Sequence, residues 1–332
     1  MENMSMEQLA GQRMMVGFDG KEFNEDLKYL IGKMHIGGLI LFSRNLGTPD
    51  QIRNLCSDCQ SLAAECNQPP LFIAIDQEGG VVARLKPPFT QFPGNPSISS
   101  LGDAVHFAVV TAKELMASGI NMNMAPVMDL SPEGIRSIMA ERSFGADPFF
   151  VSRMGTAVID LMQEKGIMAV AKHFPGIGRT VVDSHMELPD LDTTMADLEK
   201  TDLIPFKAAI DHHVAGIMLS HIRYTEIDPH HPASISPEIT TNMLRKQLGY
   251  NGVVMTDDLD MGAIKQFQTI EPVMAHLLES DVDIAMICHK GPDIQTAYDT
   301  ILRLCNKNPE LLEMCRCSVE RIMALKARYL SR

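Results

Sequence analysis

The chain has 332 residues, of which 45% are hydrophobic and 21% are charged, and this composition supports a large folded core and argues against disorder. Its formal net charge is −13, and no run of Lys and Arg offsets that acidic balance. A nucleic acid or an anionic membrane requires a basic protein face to neutralise its phosphates, so the sequence predicts neither as a partner.

Targeting and cysteine patterns favour a cytoplasmic protein. Residues 1–20 lack a basic segment followed by a long apolar run, so no secretory signal is predicted, and no stretch of about 18 apolar residues could span a membrane. The chain has seven cysteines. Cys56 and Cys59 lie in a helix-like stretch, whereas Cys315 and Cys317 cannot share a helix face. Reduced thiols are therefore favoured over a zinc site or disulfides.

A short apolar run followed by an amphipathic helix-like segment recurs eight times. Runs of this kind are typical of strands buried on both faces of a parallel sheet. Eight of them alternating with helices predict a single α/β domain over residues 1–332, folded as a closed (β/α)₈ barrel. An open doubly wound sheet would usually carry a glycine-rich fingerprint after its first strand, where this chain has Phe18-Asp19-Gly20-Lys21. The predicted strands are Met14–Gly17, Gly38–Phe42, Leu71–Ile75, Asn121–Met128, Met168–Ala171, Gly216–Leu219, Gly252–Met255 and Asp283–Ile287.

Helix boundary signals agree with this alternation. Ser236 is a predicted N-cap followed by Pro237, and Gly249 is predicted to end that helix just before the next strand. The last helix, from about Pro309 to Tyr329, is rich in Leu and Met on one face, and we expect that face to pack against the barrel.

Polar residues follow each predicted strand. Active sites of such barrels lie at the carboxyl ends of the strands, so these side chains are predicted to converge on one opening, and roughly half of them to contact substrate. In chain order they are Asp19, Arg44, Asp76 with Glu78, Asp129, Lys172 with His173, His221, Asp257 with Asp258, and His289.

Asp257 ends the strand Gly252–Met255 and is followed by Asp258. Alternation along a strand predicts that only one of the two carboxylates faces the opening squarely. A carboxylate there can attack an acetal carbon and form a covalent glycosyl-enzyme. Spacing alone would favour a helix cap or an ion pair instead.

Asp183-Ser184-His185 lies in the loop after the fifth predicted strand. A carboxylate two residues before a histidine can hydrogen-bond the ring, fix its tautomer and favour the imidazolium. Such a histidine can protonate a leaving oxygen and later deprotonate water. The same residues could instead form a structural Asp-x-His pair or a pair of metal ligands.

Two further groups suit sugar binding. Lys172 and His173 end one strand, where the lysine could form a Schiff base or donate to hydroxyls. Asp76 and Arg84 flank a glycine pair that permits close backbone approach to a ligand. They suit bidentate bonding to vicinal hydroxyls, or could pair with each other.

Several long segments carry a family resemblance. The chain resembles family 3 glycoside hydrolases, and among them the single-domain bacterial β-N-acetylglucosaminidases of peptidoglycan recycling (NagZ type). The most specific part runs from Pro232 through Met243-Leu244-Arg245 to Gly252–Asp257. The other matching segments are Ala74–Gly80, Met124–Leu130, Arg142–Gly145, Lys172–Gly176 and Asp183–His185.

The resemblance implies a retaining β-N-acetylhexosaminidase with Asp257 as the nucleophile. It implies that His185, oriented by Asp183, replaces the glutamic acid that many family members use as acid/base. The implied substrate is β-1,4-linked N-acetylglucosamine on 1,6-anhydro-N-acetylmuramic acid, and no cofactor or metal and a monomeric enzyme are expected. The residues implied to bind the N-acetylglucosamine unit are Asp76, Arg84, Arg142, Lys172 and His173.

Two positions depart from the family pattern. Ile177 stands where the family usually has histidine, and Arg179 stands where an acid is common. Some relatives with the same dyad are phosphorylases, and Arg179 near the opening would suit an enzyme that uses phosphate in place of water. Two different functions also fit the barrel, namely a Schiff-base lyase that uses Lys172 and a non-catalytic sugar-binding protein.

Overall fold

A computed structural model describes residues 4–182, 184 and 187–331, and these form a closed parallel barrel with helices around it. Each barrel strand pairs with its sequence neighbours, and the pairing of Met14 with Ala285 closes the last strand onto the first. The predicted (β/α)₈ barrel is therefore confirmed. Its strands are β1 (Met14–Val16), β2 (Gly38–Leu41), β3 (Phe72–Ile75), β4 (Met122–Asn123), β5 (Met168–Phe174), β6 (Gly216–Leu219), β7 (Val253–Asp258) and β8 (Ile284–Ile287).

The helices fall mostly between the strands. A π-helix, Glu238–Gln247, lies between β6 and β7. The α-helices are Met6–Gln12, Glu25–Gly32, Pro49–Glu65, Leu101–Ala117, Pro148–Glu164, Met195–Lys200, Leu203–Asp211, Gly262–Lys265, Ile270–Glu279, Pro292–Lys307 and Pro309–Leu330. Short 3₁₀ turns cover Ser43–Asn45, Asn95–Ser97 and Ala233–Ile235.

The predicted end of the helix before β7, at Gly249, is confirmed, whereas its N-cap is Pro237, one residue after the predicted Ser236. The N–H of Ile239 donates to Ser236 Oγ at 3.3 Å, and Gly249 has a φ of +69°, as a glycine after a helix often does. The helix between them is a π-helix, although the sequence signals did not distinguish it from an α-helix.

One predicted strand is shorter than expected. The sequence predicted a strand over Asn121–Met128, but the structure has β4 at Met122–Asn123 and then only an isolated pairing of Val127 with Lys172. Pro126, which has no N–H to donate, lies between the two, and regular strand pairing is lost there although its carbonyl still accepts the N–H of Lys172 at 3.2 Å.

The last helix closes the amino-terminal end of the barrel. Its Ile322 and Leu325 join the cluster of side chains that fills the barrel interior. Buried Lys326 on the same helix donates to Gln12 Oε1 at 2.7 Å and to the carbonyl of Gly37 at 2.9 Å. The carboxyl ends of the strands are consequently left as the open end, where the loops build a site.

Two small sheets lie at the open end. Gln77–Gly79 pairs antiparallel with Val82–Ala83 just after β3, and Asp190–Leu191 pairs in parallel with Arg223–Tyr224. No helix in the part of the chain that the structure describes is long and apolar enough to cross a membrane.

Candidate active site

A cavity of about 270 Å³ opens at the carboxyl ends of the strands, at the lower end of the volumes usual for small-molecule sites. All five predicted sugar-binding residues line it, and so does Asp257, whereas Asp183 and His185 lie outside the described residues. The polar lining is Asp76, Arg84, Arg142, Lys172, His173, Ser184, Asp257 and Asp258. The apolar lining is Ile40, Phe42, Val82, Ile138, Ile177, Met218, Met261, Met286 and Cys288.

Lys172 is the buried cation at the centre of the polar wall. Its Nζ lies 2.8 Å from Asp76 Oδ1 and 2.7 Å from Glu78 Oε1. Burial by itself would lower the pKa of Lys172, but the two carboxylates outweigh it and raise that pKa above its usual value. Lys172 is therefore an ammonium that donates hydrogen bonds. A Schiff base requires a neutral amine, so this environment argues against the lyase.

Glu78 is a member of the polar network whose role the sequence did not assign. Arg142 donates to it from Nε at 3.0 Å and from Nη2 at 2.8 Å, a bidentate pair that orients the guanidinium. Burial raises the pKa of Glu78, but Lys172 and Arg142 lower it by more, so the net shift is downward. Glu78 is consequently an ionised anchor for two cations.

Asp76 and Arg84, for which the sequence allowed either sugar binding or mutual pairing, do pair and also line the cavity. Arg84 Nη2 donates to Asp76 Oδ2 at 3.2 Å. Burial opposes ionisation of Asp76, yet Lys172 and Arg84 hold its pKa well below the usual range. Asp76 is thus a charged acceptor at the opening.

His173 is held by a buried carboxylate, Asp129. The ring Nδ1 lies 2.7 Å from Asp129 Oδ2, and the backbone N–H of His173 donates to the same oxygen at 3.0 Å. The other oxygen, Oδ1, accepts the N–H of Ile177 at 2.9 Å. Because the carboxylate accepts, Nδ1 carries the proton, and Nε2 faces the cavity 4.0 Å from Asp257 Oδ2. The sequence placed Asp129 at the opening but did not predict this anchoring role.

Asp129→Asn should both destabilise the fold and weaken substrate binding. The asparagine amide would place an N–H against the N–H groups of His173 and Ile177, from which the carboxylate now accepts hydrogen bonds. We expect a loss of about 1.5–3 kcal/mol in the free energy of unfolding and a raised KM. Asp160→Asn is a matched control, since Asp160 lies 2.8 Å from His212 Nδ1 but both side chains are about half exposed. That control should lose less than about 1 kcal/mol. Equal losses in urea unfolding would show that the buried anchor has no special role.

Asp257 and Asp258 end β7, and both line the cavity, where the sequence predicted that only one of them would face the opening squarely. The pairing of β7 with β8 shifts register between Met255 and Asp258, and such a bulge breaks the alternation of side chains. Asp257 caps no described helix, because the helix Gly262–Lys265 has Met261 at its N-cap.

The charges of the two aspartates differ. Burial opposes ionisation of Asp257, but His173 and His221 outweigh it and lower its pKa. Burial raises the pKa of Asp258 to about 6. Asp258 Oδ1 accepts the N–H groups of Asp260 at 2.9 Å and Cys288 at 3.0 Å, so it ties β7 to β8. Asp257 is therefore the ionised carboxylate at the cavity, and Asp258 supports the backbone around it.

Of the eleven polar residues that follow the predicted strands, five line the cavity, namely Asp76, Lys172, His173, Asp257 and Asp258. His221 is a buried support, with Nε2 2.9 Å from the carbonyl oxygen of Asp258 and Nδ1 2.8 Å from Ser234 Oγ. Arg44 Nε donates to the carbonyl of Phe18 at 2.9 Å and lies 3.2 Å from Asp19. The strand-end residues that do not line the cavity are Asp19, Arg44, Glu78, Asp129, His221 and His289.

The two departures from the family pattern have different structural roles. Ile177 lines the cavity and is buried. Arg179 does not line it: its Nε donates to buried Asp202 at 2.9 Å and its Nη2 to Thr201 at 2.7 Å. Because these partners occupy the guanidinium, the structure gives a phosphorylase no support from Arg179.

Ser184 is the described member of Asp183-Ser184-His185. Its side chain is buried and lines the cavity, and its carbonyl accepts the N–H of Ala263 at 3.1 Å. Ala263 lies in the short helix that follows β7. The loop is therefore attached, at Ser184, to the segment that follows Asp257.

One group within the described residues has the spacing of metal ligands. The candidate ligand atoms of Asp258, Asp260 and His289 lie within 4.8 Å of one another. Asp260 also pairs with Lys265 Nζ at 2.7 Å, so part of its charge is already matched. His289 is mostly exposed, and the sequence did not select these three residues together as ligands.

Residues 5–325 match the glycosyl hydrolase family 3 N-terminal domain. A β-hexosaminidase of Thiobacillus denitrificans is 36% identical over 286 residues, which are 83% of this chain and 78% of the relative. A family 3 β-N-acetylglucosaminidase of a Paenibacillus species superposes with a TM-score of 0.94 at 36% identity.

That superposition covers 98% of this chain but 63% of the longer Paenibacillus chain. NagZ from Neisseria gonorrhoeae, solved in complex with N-trifluoroacetyl-D-glucosamine, superposes with a TM-score of 0.75 at 25% identity, covering 93% of this chain and 98% of its own.

Proposed function

The chain belongs to glycoside hydrolase family 3, and from that premise we propose that it is a retaining β-N-acetylhexosaminidase that releases terminal N-acetylglucosamine. The observation that carries this proposal is the ionised carboxylate of Asp257 beside a wall of fixed charges in a cavity of about 270 Å³. The similarity to β-hexosaminidases and to a NagZ that binds an N-acylglucosamine analogue supports the choice of sugar.

In this proposal the polar wall binds one sugar unit. Arg84, Arg142 and Lys172 donate to hydroxyl oxygens, and Asp76 accepts from hydroxyl groups. These side chains are already paired and buried or half-buried, so little conformational freedom is lost when substrate binds. His173, fixed by Asp129, completes the wall beside the reacting carbon.

The reaction then proceeds by double displacement. The Asp257 carboxylate bonds to the anomeric carbon as the bond to the aglycone oxygen breaks, and His185, supported by Asp183, gives that oxygen its proton. In the second half, neutral His185 takes a proton from water, which attacks the anomeric carbon and releases Asp257. Two inversions at one carbon give net retention of the β configuration.

We further propose the biological setting that the sequence resemblance implied. The substrates are muropeptide fragments carrying β-1,4-linked N-acetylglucosamine on 1,6-anhydro-N-acetylmuramic acid, and the reaction belongs to cytoplasmic peptidoglycan recycling. One copy of the chain, acting as a single catalytic barrel over residues 1–332, is the proposed working unit.

The function is tested by comparing a chromogenic β-N-acetylglucosaminide with the matching β-glucoside, with and without phosphate. We expect rapid hydrolysis of the first sugar, slow hydrolysis of the second and no glycosyl phosphate, because Arg179 is held by Asp202 and Thr201. Proton NMR of the first-formed product should show the β-anomer. Glycosyl phosphate as the main product would establish a phosphorylase, and early α-product would exclude a retaining mechanism.

A further inference from the structure

Among the described residues that line the cavity, Phe42 is the one with a phenyl ring. The chain contains no tryptophan. An aromatic ring in a sugar site commonly stacks on the sugar, but this ring is already flanked by protein cations. The guanidinium carbon of Arg44 lies 4.8 Å from the ring centroid and that of Arg84 lies 5.3 Å from it. The imidazole of His289 stacks with its centroid 6.3 Å away. The ring is therefore placed to hold cations.

Arg84 is the cation of the site with the weakest polar anchoring. Its hydrogen bond to Asp76 is 3.2 Å long, and its buried Nε has no hydrogen-bond partner among the described residues. Lys172, by comparison, has two carboxylates within 2.8 Å, and Arg142 has a bidentate pair with Glu78. Asp76 alone does not define the plane of the Arg84 guanidinium, so another contact has to do so.

Phe42 is itself fixed by the end of β2. Its N–H donates to Asn45 Oδ1 at 2.9 Å, and its carbonyl accepts the N–H of Asn45 at 2.8 Å. Asn45 is buried and donates from Nδ2 to the carbonyls of Phe18 and Gly20, each at 2.9 Å. The backbone that carries the ring is thus fixed, and the ring offers a face against which a guanidinium can lie.

We propose that Phe42 is a positioning residue that holds the Arg84 guanidinium over its ring and so aims the free Arg84 donors at a substrate hydroxyl. The inference rests on the proposed function, since it assigns Arg84 a sugar contact. It makes Phe42 act through Arg84 and not through direct contact with the sugar. A further consequence is that aromatic residues at position 42 should be interchangeable and aliphatic ones should not.

The test is a double-mutant cycle on kcat/KM for an aryl N-acetylglucosaminide. Phe42→Leu should lower kcat/KM by roughly 3- to 30-fold, mainly through KM, and Phe42→Tyr should restore most of it. In an Arg84→Ala background the Phe42→Leu effect should vanish, because the residue through which it acts is gone. Phe149→Leu, at a side chain that is 70% exposed, is the matched control and should be silent.

An equal effect of Phe42→Leu in both backgrounds would overturn the proposal and show that Phe42 contacts the sugar or only shapes the cavity. A crystal structure of the Phe42→Leu variant separates this failure from failure of the proposed function. It should show the Arg84 guanidinium displaced from Asp76 whether or not the enzyme accepts the tested sugar, and an unmoved Arg84 would equally overturn the proposal. Phe42→Met serves for both measurements should the leucine variant not fold.

Discussion

Replacement of Asp257 by alanine should reduce turnover by about 10⁴-fold or more while the barrel remains folded. The side chain lines the cavity, carries a lowered pKa and caps no described helix, so its removal deletes the proposed covalent step without removing a structural anchor. The rate should be measured with a dinitrophenyl N-acetylglucosaminide, and the fold by circular dichroism and thermal unfolding.

Asp258→Asn is the control for Asp257, because the two residues are adjacent and both line the cavity. Asp258 binds two backbone N–H groups, so this variant should lose stability more than it loses turnover per folded molecule. A 2-fluoro or 5-fluoro glycosyl fluoride should label Asp257 in the wild-type enzyme. If mass spectrometry places the label on Asp258 instead, then Asp258 is the nucleophile and the proposed role of Asp257 is refuted.

His185→Ala should slow a natural disaccharide by about 10²- to 10⁴-fold and a dinitrophenyl glycoside far less. An acidic phenol departs without a proton, whereas a sugar hydroxyl needs one from the enzyme. An imidazole titrates near pH 6.5, so His185 can supply that proton close to neutrality without a large pKa shift. Asp183→Asn should weaken catalysis in the same substrate-dependent way, since it removes the charge that supports the imidazolium. Both ratios are obtained from kcat/KM on the two substrates.

Equal losses on the two substrates would mean that His185 only holds its loop in place. The proton donor would then have to be another group at the opening. Glu78 does not suit that role, because Lys172 and Arg142 pair with it and lower its pKa. Asp258, whose pKa burial raises to about 6, would be the next residue to replace.

The strand predictions succeeded where hydrophobic pattern alone decides the structure. β6 was predicted residue for residue, because Gly216–Leu219 is a continuous apolar run that ends at Ser220. β4 was overestimated, because the largely apolar segment from Met122 to Met128 continues through Pro126, where regular strand pairing is lost. β7 was underestimated, because the strand continues through polar Asp257 to Asp258, which still pairs with Met286 of β8.

The site residues divide in a similar way. Asp76, Arg84, Lys172, His173 and Asp257 could be selected because each lies at or soon after the end of an apolar strand, and Arg142 came only from the family resemblance. Apart from the Asp76–Arg84 pair, which the sequence left open, their pairing could not be predicted, because the partners are far apart in sequence. Lys172 lies 96 residues from Asp76, Arg142 lies 64 from Glu78, and His173 lies 44 from Asp129.

The sequence by itself therefore determined the barrel, the end at which the site forms and the residue types available for sugar chemistry, because periodicity and strand ends are local properties. Only the tertiary structure decided the charge and orientation of those residues. Charged groups from distant strands outweigh the effect of burial and keep Lys172 an ammonium and Asp257 a carboxylate, and a register shift brings Asp258 to the cavity beside it. Arg179 illustrates the same limit: its position in the sequence suggested a ligand contact, but Asp202 and Thr201, more than twenty residues away, hold it outside the cavity lining.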